Sequence, residues 1–234
     1  MNKLVDIYLP LDARKEANAV VWPVATQQLQ YLIEVIKKCG WEPHILNPDK
    51  PVASVAEGMK VIQRAKGERF INFIAGWAYP DFSVSPMWQL PPEVPKLMIG
   101  SAIPDYPGAV GLLAAASGTE HVGIKTSRLF IEHFEDQAAY QEAIECFLRE
   151  GKYQPELPQP IEVEVTPADR ERAQKVIRQL RGSIYGAVGP RSMEMWNKIS
   201  EADFLEYFGV AREGFDGLRL LKMAEKIPDE QAAK

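Results

Sequence analysis

The stretch that decides the fold covers residues 70–118 and reads FINFIAGWAYPDFSVSPMWQLPPEVPKLMIGSAIPDYPGAVGLLAAASG. It contains two short apolar runs, 70–75 and 96–99, and each run is followed by a loop that contains glycine. Such runs predict adjacent parallel strands of an open α/β sheet. Because ligands bind beyond the carboxyl ends of these strands, both loops are expected at the edge of the sheet where a site would form.

Strand-like and helix-like segments alternate on both sides of this stretch. Further strands are predicted at 4–9, 41–46 and 127–130, and helices at 23–38, 52–65, 108–117 and 138–149. Proline at the start of the first helix and glycine just past its end are typical helix boundaries. The alternation predicts a doubly wound parallel sheet, Rossmann-like or flavodoxin-like, over residues 1–160.

The segment 151–160 is rich in proline and is predicted to be a linker. Beyond it the pattern predicts one strand and three helices, at 184–188, 167–180, 202–208 and 218–226. One strand cannot close a parallel sheet of its own. Residues 161–234 are therefore expected either to pack on the first domain or to begin a second α/β domain that this chain leaves incomplete, and we favour the second.

The composition excludes several classes of protein. The hydrophobic share of 46% and the charged share of 25% are those of an ordinary globular protein. A net charge of −5 without a long basic run argues against a nucleic-acid partner. No apolar run approaches the roughly 20 residues that cross a bilayer, and the N-terminus has no secretory pattern. We expect a cytoplasmic protein with no membrane partner.

Sequence motifs for chemistry are few. The GxSxG, GxGxxG and GxxxxGK[ST] patterns do not occur, and the two cysteines, Cys39 and Cys146, form no CxxC pair. The three histidines are His44, His121 and His133, and none has a second ligand at helical spacing. We therefore assign no catalytic residue and no metal ligand. The acidic residues around His133 are expected to form a solvated loop.

The loops after the predicted strands carry the residues that suit a ligand. They are Asp12 and Arg14 after the first strand, Trp77 and Tyr79 after the third, and Asp105 and Tyr106 after the fourth. A guanidinium and carboxylates can hydrogen-bond vicinal hydroxyls, while an aromatic ring covers the apolar C–H face of a sugar. These side chains therefore indicate a small-molecule sugar site. The alternative, that the aromatic residues simply pack on a neighbouring element, stays open.

Four motifs carry a resemblance to a known family. They are GWAYPDF at 76–82, SAIPDYPGAVGLLAAAS at 101–117, GAVGPRSMEMW at 186–196 and EYFGV at 206–210. In this order they resemble the N-terminal half of the L-fucose/L-arabinose isomerase family, which contains its first two α/β domains. The resemblance covers nearly the whole chain.

This resemblance implies part of a manganese-dependent aldose–ketose isomerase that moves a proton between C1 and C2 of an open-chain sugar. The metal ligands lie later in the family's chain, so no manganese is expected to bind here, and this chain alone is expected to be inactive. The resemblance also implies a homo-oligomer in which Arg14 and Trp77 line the active site of a neighbouring subunit. Two alternatives remain, a non-catalytic sugar- or metabolite-binding module and a structural interaction domain.

Overall fold

The computed structural model describes residues 3–102, 108–155, 161–189 and 201–232. These residues fall into two compact units, which are described separately: the first covers residues up to 155 and the second begins at 161. The boundary predicted at residue 160 lies outside the described residues. None of the described helices is both long and apolar enough to cross a membrane.

The first unit is built on a five-stranded parallel sheet, as predicted. Its strands are β1 (Leu4–Tyr8), β2 (Glu42–Ile45), β3 (Arg69–Ile74), β4 (Lys96–Ser101) and β5 (Ser127–Ile131). Their order in the sheet is β2-β1-β3-β4-β5, with all neighbouring pairs parallel. The three central strands carry apolar residues on both faces because each face is covered by helices.

Helices cover both faces of this sheet. They are α1 (Lys15–Lys38), α2 (Val55–Val61), α3 (Asp81–Trp88), α4 (Gly108–His121) and α5 (Gln137–Glu150). α1 and α5 pack together over one core, while α2, α3 and α4 form a layer over the other. A doubly wound α/β fold is thereby confirmed, with a flavodoxin-like strand order.

The first helix is longer than its sequence signals indicated. Proline at position 23 predicted a helix start there, but α1 begins at Lys15 and Pro23 lies inside it. The buried face runs through this proline, with Val21 before it and Ala25 after it, both packed in the core. Burial of this continuous apolar stripe outweighs the backbone hydrogen bond that Pro23 cannot donate.

The aromatic stretch after β3 was expected to be a surface loop, and this expectation is wrong for residues 81–88. Residues 81–88 form α3, and Phe82, Val84 and Met87 are buried in it. Pro80 and Pro86 concealed this helix in the sequence. Pro80 lies at the start of the helix, where the ring is tolerated, and Pro86 lies inside it. Trp88, at the end of the helix, is 61% exposed.

The second unit contains a small two-stranded parallel sheet. Helix α6 (Pro167–Leu180) begins, as predicted, at Thr166, which forms a capping box with Asp169. Strand β6 (Ile184–Val188) pairs with β7 (Ala211–Phe215), a strand that was not predicted because AREGF has no apolar run. The remaining segments are a helical turn at Glu201–Asp203, a π-helix at Phe204–Phe208, α7 (Gly217–Ala224) and α8 (Asp229–Ala232).

Candidate functional site

The strand order places a topological switch point between β1 and β3. These strands are neighbours in the sheet, with Tyr8 beside Asn72 near their carboxyl ends. The chain leaves β1 toward the face covered by α1 and leaves β3 toward the face covered by α3. The two exit segments therefore diverge. This is the topological switch point at which open α/β sheets bind ligands.

Close packing fixes the segment after β3. A side chain at Gly76 would approach Val21 of α1 to 2.9 Å, so this loop lies directly on the first helix. A side chain at Gly108, at the start of α4, would come within 2.7 Å of the carbonyl oxygens of Ala75 and Ser101. Glycine at both positions lets backbone segments approach where any side chain would keep them apart. The segments that follow β1, β3 and β4 thus pack closely on one another at one edge of the sheet.

Arg14 lies on this edge and is held by Asp12. The Arg14 Nε donates to both Asp12 carboxylate oxygens at 3.1 Å, and Nη2 donates to Oδ2 at 2.5 Å. The Arg14 backbone N–H also donates to Asp12 Oδ1 at 2.9 Å. The Asp12 side chain is only 5% exposed, whereas that of Arg14 is 68% exposed. Asp12 was expected to contact a sugar, but it lies beneath the arginine and its oxygens are occupied.

The pair also shifts the ionisation of both groups. Burial of the Asp12 carboxyl raises its pKa, but the hydrogen bonds and charge of Arg14 outweigh this effect and hold the pKa below its usual range. The hydrogen bond and charge of Asp12 raise the pKa of Arg14, and Tyr79 contributes to the same shift.

Trp77 and Tyr79 form the other side of the edge. Their rings meet edge-to-face with centroids 6.4 Å apart, and Tyr79 stacks on Phe82 at 5.3 Å. Phe82 is buried, and its carbonyl oxygen accepts a hydrogen bond from the Tyr8 hydroxyl. Trp77 and Tyr79 are only half-buried. The buried Phe82 ring therefore supports the accessible rings of Tyr79 and Trp77. The sequence did not predict this, because Phe82 was expected to lie in a loop.

Two predicted site residues, Asp105 and Tyr106, lie outside the described residues. Their role stays a prediction. Of the six residues predicted at the sugar site, the structure thus describes Asp12, Arg14, Trp77 and Tyr79, and all four follow β1 or β3.

No metal centre is formed by the described residues. They contain no group of three His, Cys, Asp or Glu side chains that could hold an ion. His44 contacts Asp6 at 2.6 Å, and the second oxygen of Asp6 accepts the backbone N–H groups of Lys66 and Gly67. His133 is exposed beside Glu135, as expected of a solvated loop. The described residues do not fit the manganese that the family resemblance implies.

The fold is an α/β domain of flavodoxin-like topology with its switch point between β1 and β3. The sequence model of the family described as L-fucose isomerase, first N-terminal domain, matches residues 5–151. The chain therefore belongs to the L-fucose isomerase family. A search among curated proteins finds no significant match. The motifs at 186–196 and 206–210 lie beyond the matched range.

Proposed function

We propose that this chain supplies sugar-binding side chains to an aldose–ketose isomerase of the L-fucose type. The observation that carries the proposal is that Arg14, Trp77 and Tyr79 are accessible and follow β1 and β3, two strands that are neighbours in the sheet. An exposed, oriented guanidinium donates hydrogen bonds to sugar hydroxyls, while the half-buried rings offer a flat apolar surface to the C–H face. The role of these residues is to bind and orient the substrate.

The chemical step belongs to another part of the assembly in this proposal. Isomerisation moves a proton between C1 and C2, which requires a base and stabilisation of the intermediate negative charge. In the first unit, Asp12 and Asp6 are already paired with other protein groups. We therefore expect the isolated chain to show no isomerase activity on L-fucose or L-arabinose with added manganese. Turnover that a chelator abolishes would contradict this expectation.

The proposal includes self-association. An exposed arginine beside accessible aromatic rings suits a site completed by a second subunit, since tryptophan, tyrosine and arginine are enriched at interfaces. Sedimentation of the purified chain at about 10–50 μM tests this, because interfaces of micromolar affinity assemble in that range. A monomer throughout that range would argue against self-association of this chain.

Binding by the chain itself tests the proposal directly. L-fucose is titrated into the isotope-labelled chain and followed by NMR, with Arg14→Ala and Trp77→Ala as test variants and Trp88→Ala as the matched control. Trp88 is an exposed tryptophan at the far end of α3. We expect each test variant to weaken binding by about tenfold, since each loses directed contacts, and the control to bind normally.

Thermal melts separate this function from simple packing. Trp77 does not belong to the apolar residues that pack against either core in the described part of the chain. The melting temperature of Trp77→Ala should therefore stay close to that of the wild type. A sharp fall in melting temperature with unchanged L-fucose binding would mean that Trp77 only packs. Binding without activity in any assembly would favour the non-catalytic binding module.

A further inference from the structure

The pairing of Arg14 with Asp12 leaves a defined set of donors for a ligand. A guanidinium carries five N–H groups, and Asp12 occupies the edge formed by Nε and Nη2. Among the residues that the structure describes, no acceptor is paired with the N–H groups of Nη1 or with the outer N–H of Nη2. They belong to a side chain that is mostly exposed, whereas the carboxylate beneath it is almost fully buried. Arg14 can therefore bind two ligand oxygens without breaking its bond to Asp12.

The same pairing changes which ligand charge is favoured. A ligand oxygen at the free edge lies about 3 Å from a guanidinium nitrogen, and roughly twice as far from the Asp12 carboxylate across the width of the group. Because the Coulomb energy falls with distance, Asp12 cancels roughly half of the attraction of Arg14 for an anion. A neutral hydroxyl keeps its hydrogen bonds, since it depends on the donors and not on the net charge.

The other charges around the pair are mixed. Glu16, in the first turn of α1, also interacts electrostatically with Arg14. Lys15, the neighbour of Arg14 in the chain, carries the opposite charge to Glu16. Asp12, which is hydrogen-bonded directly to the guanidinium, is therefore the charge that most affects an anion at Arg14.

We propose that Asp12 sets the ligand charge accepted at Arg14, so that the site takes a neutral polyol and disfavours phosphorylated sugars. Asp12 is then a positioning residue that acts through Arg14 and does not touch the sugar. The proposal rests on the sugar-binding function of Arg14. This role of Asp12 differs from a purely structural one. In a structural role, Asp12 would only hold the turn, by accepting the Arg14 backbone N–H with its side chain and the Asn18 Nδ2 group with its backbone carbonyl oxygen.

Asp12→Asn separates these two roles. The amide has nearly the shape of the carboxylate and keeps an oxygen that accepts from the Arg14 backbone, but it removes the negative charge. Glu16→Gln is the matched control, because it removes one negative charge from the same neighbourhood without touching the hydrogen-bonded pair. The double variant Asp12→Asn/Arg14→Gln tests whether any change acts through the guanidinium.

The full chain is titrated with L-fucose and with L-fucose 1-phosphate at low ionic strength, following the Arg14 Nε–H signal by NMR. We expect the wild type to bind the neutral sugar more tightly. In Asp12→Asn the affinity for the phosphate ester should rise on the order of tenfold and the preference should reverse, because a charge near the ligand is removed. Glu16→Gln should keep the wild-type preference, and the double variant should lose the gain.

Three outcomes would overturn the proposal. The first is a folded Asp12→Asn chain that keeps the wild-type preference, and the second is an equal gain in Glu16→Gln, which would indicate net charge alone. The third is a wild type that binds the phosphate ester at Arg14 as tightly as L-fucose. If Asp12→Asn does not fold, Asp12→Ser, which also keeps a short acceptor for the turn, replaces it.

A failure of the proposed sugar-binding function would give a different result in these titrations. If L-fucose does not shift the Arg14 signal of the wild type, the sugar-binding function is wrong. The phosphate titrations of the wild type and Asp12→Asn still decide the role of Asp12 in that case. A gain at Arg14 supports control of ligand charge, and the absence of a gain refutes it.

Discussion

The two units of this chain use similar local signals with very different results. In the first unit, five parallel strands lie between two helical layers, and large side chains such as Phe70 and Phe73 are completely buried. In the second unit, a pair of parallel strands leaves Ile184 and Tyr185 more than half exposed, and neither α6 nor α7 buries a residue. Local signals form helices and strands, but burial requires enough layers to cover both faces of a sheet.

The largest expected difference concerns the removal of an aromatic side chain. Phe73→Ala removes a fully buried ring that packs at 5.4 Å against Phe134, and should cost about 3–5 kcal/mol of unfolding free energy. Tyr185→Ala, in a strand of the second unit, removes an exposed ring and should cost less than about 1 kcal/mol. Urea denaturation of both variants measures this. Equal losses would mean that the second unit has a core comparable to the first.

A glycine pair tests close packing at the ligand edge. Gly108→Ala would place a methyl group 2.7 Å from two backbone oxygens, which requires α4 to shift and should cost about 1–3 kcal/mol. Gly214→Ala in β7 meets no atom within 4 Å and should leave stability unchanged or slightly raised. Thermal melts compare the two variants. A neutral Gly108→Ala would contradict the tight approach of α4 to the exit of β3.

Capping should matter in the second unit because little else stabilises its first helix. Thr166 accepts the N–H of Asp169 in the capping box, so Thr166→Ala should cost about 1 kcal/mol of local helix stability. Amide hydrogen exchange over α6 reports this loss. Ser54→Ala, which removes a similar cap from α2, is the matched control in the first unit. If α6 exchanges at the wild-type rate in Thr166→Ala, its stability does not depend on the cap.

The smallest expected effect is the acid dependence of the Asp12–Arg14 pair. Because the pKa of Asp12 is lowered in the folded chain, its contribution to stability is complete above the unfolded pKa of about 3.9 and is lost as the pH falls through the lower folded value. The stability difference between the wild type and Asp12→Asn should be constant above about pH 5 and shrink below about pH 4. Denaturation at several pH values checks this. A constant difference down to pH 2 would contradict the pKa direction.

Some of these features were readable from the sequence because they depend on neighbouring residues. Apolar runs predicted the three central strands of the first sheet, since a strand buried on both faces is largely apolar, and the alternation of segments predicted the two edge strands. The start of α6 at Pro167 was also predicted, since the N-cap Thr166 and the proline after it are local signals. The placement of Arg14, Trp77 and Tyr79 at strand exits also followed from the order of segments along the chain.

Other features were decided only by tertiary structure. Pro23 lies inside α1, and Phe82 lies in a buried helix, because packing against the sheet outweighs local propensity at both positions. Asp12 and Arg14 are only two positions apart, but the burial of the Asp12 carboxylate beneath an exposed guanidinium was not readable from the sequence. The sequence by itself thus determined the strands of the first sheet, the family and the residues that follow the strand ends. Tertiary structure decided which of these side chains are buried and which stay accessible, because burial depends on residues far apart in the chain.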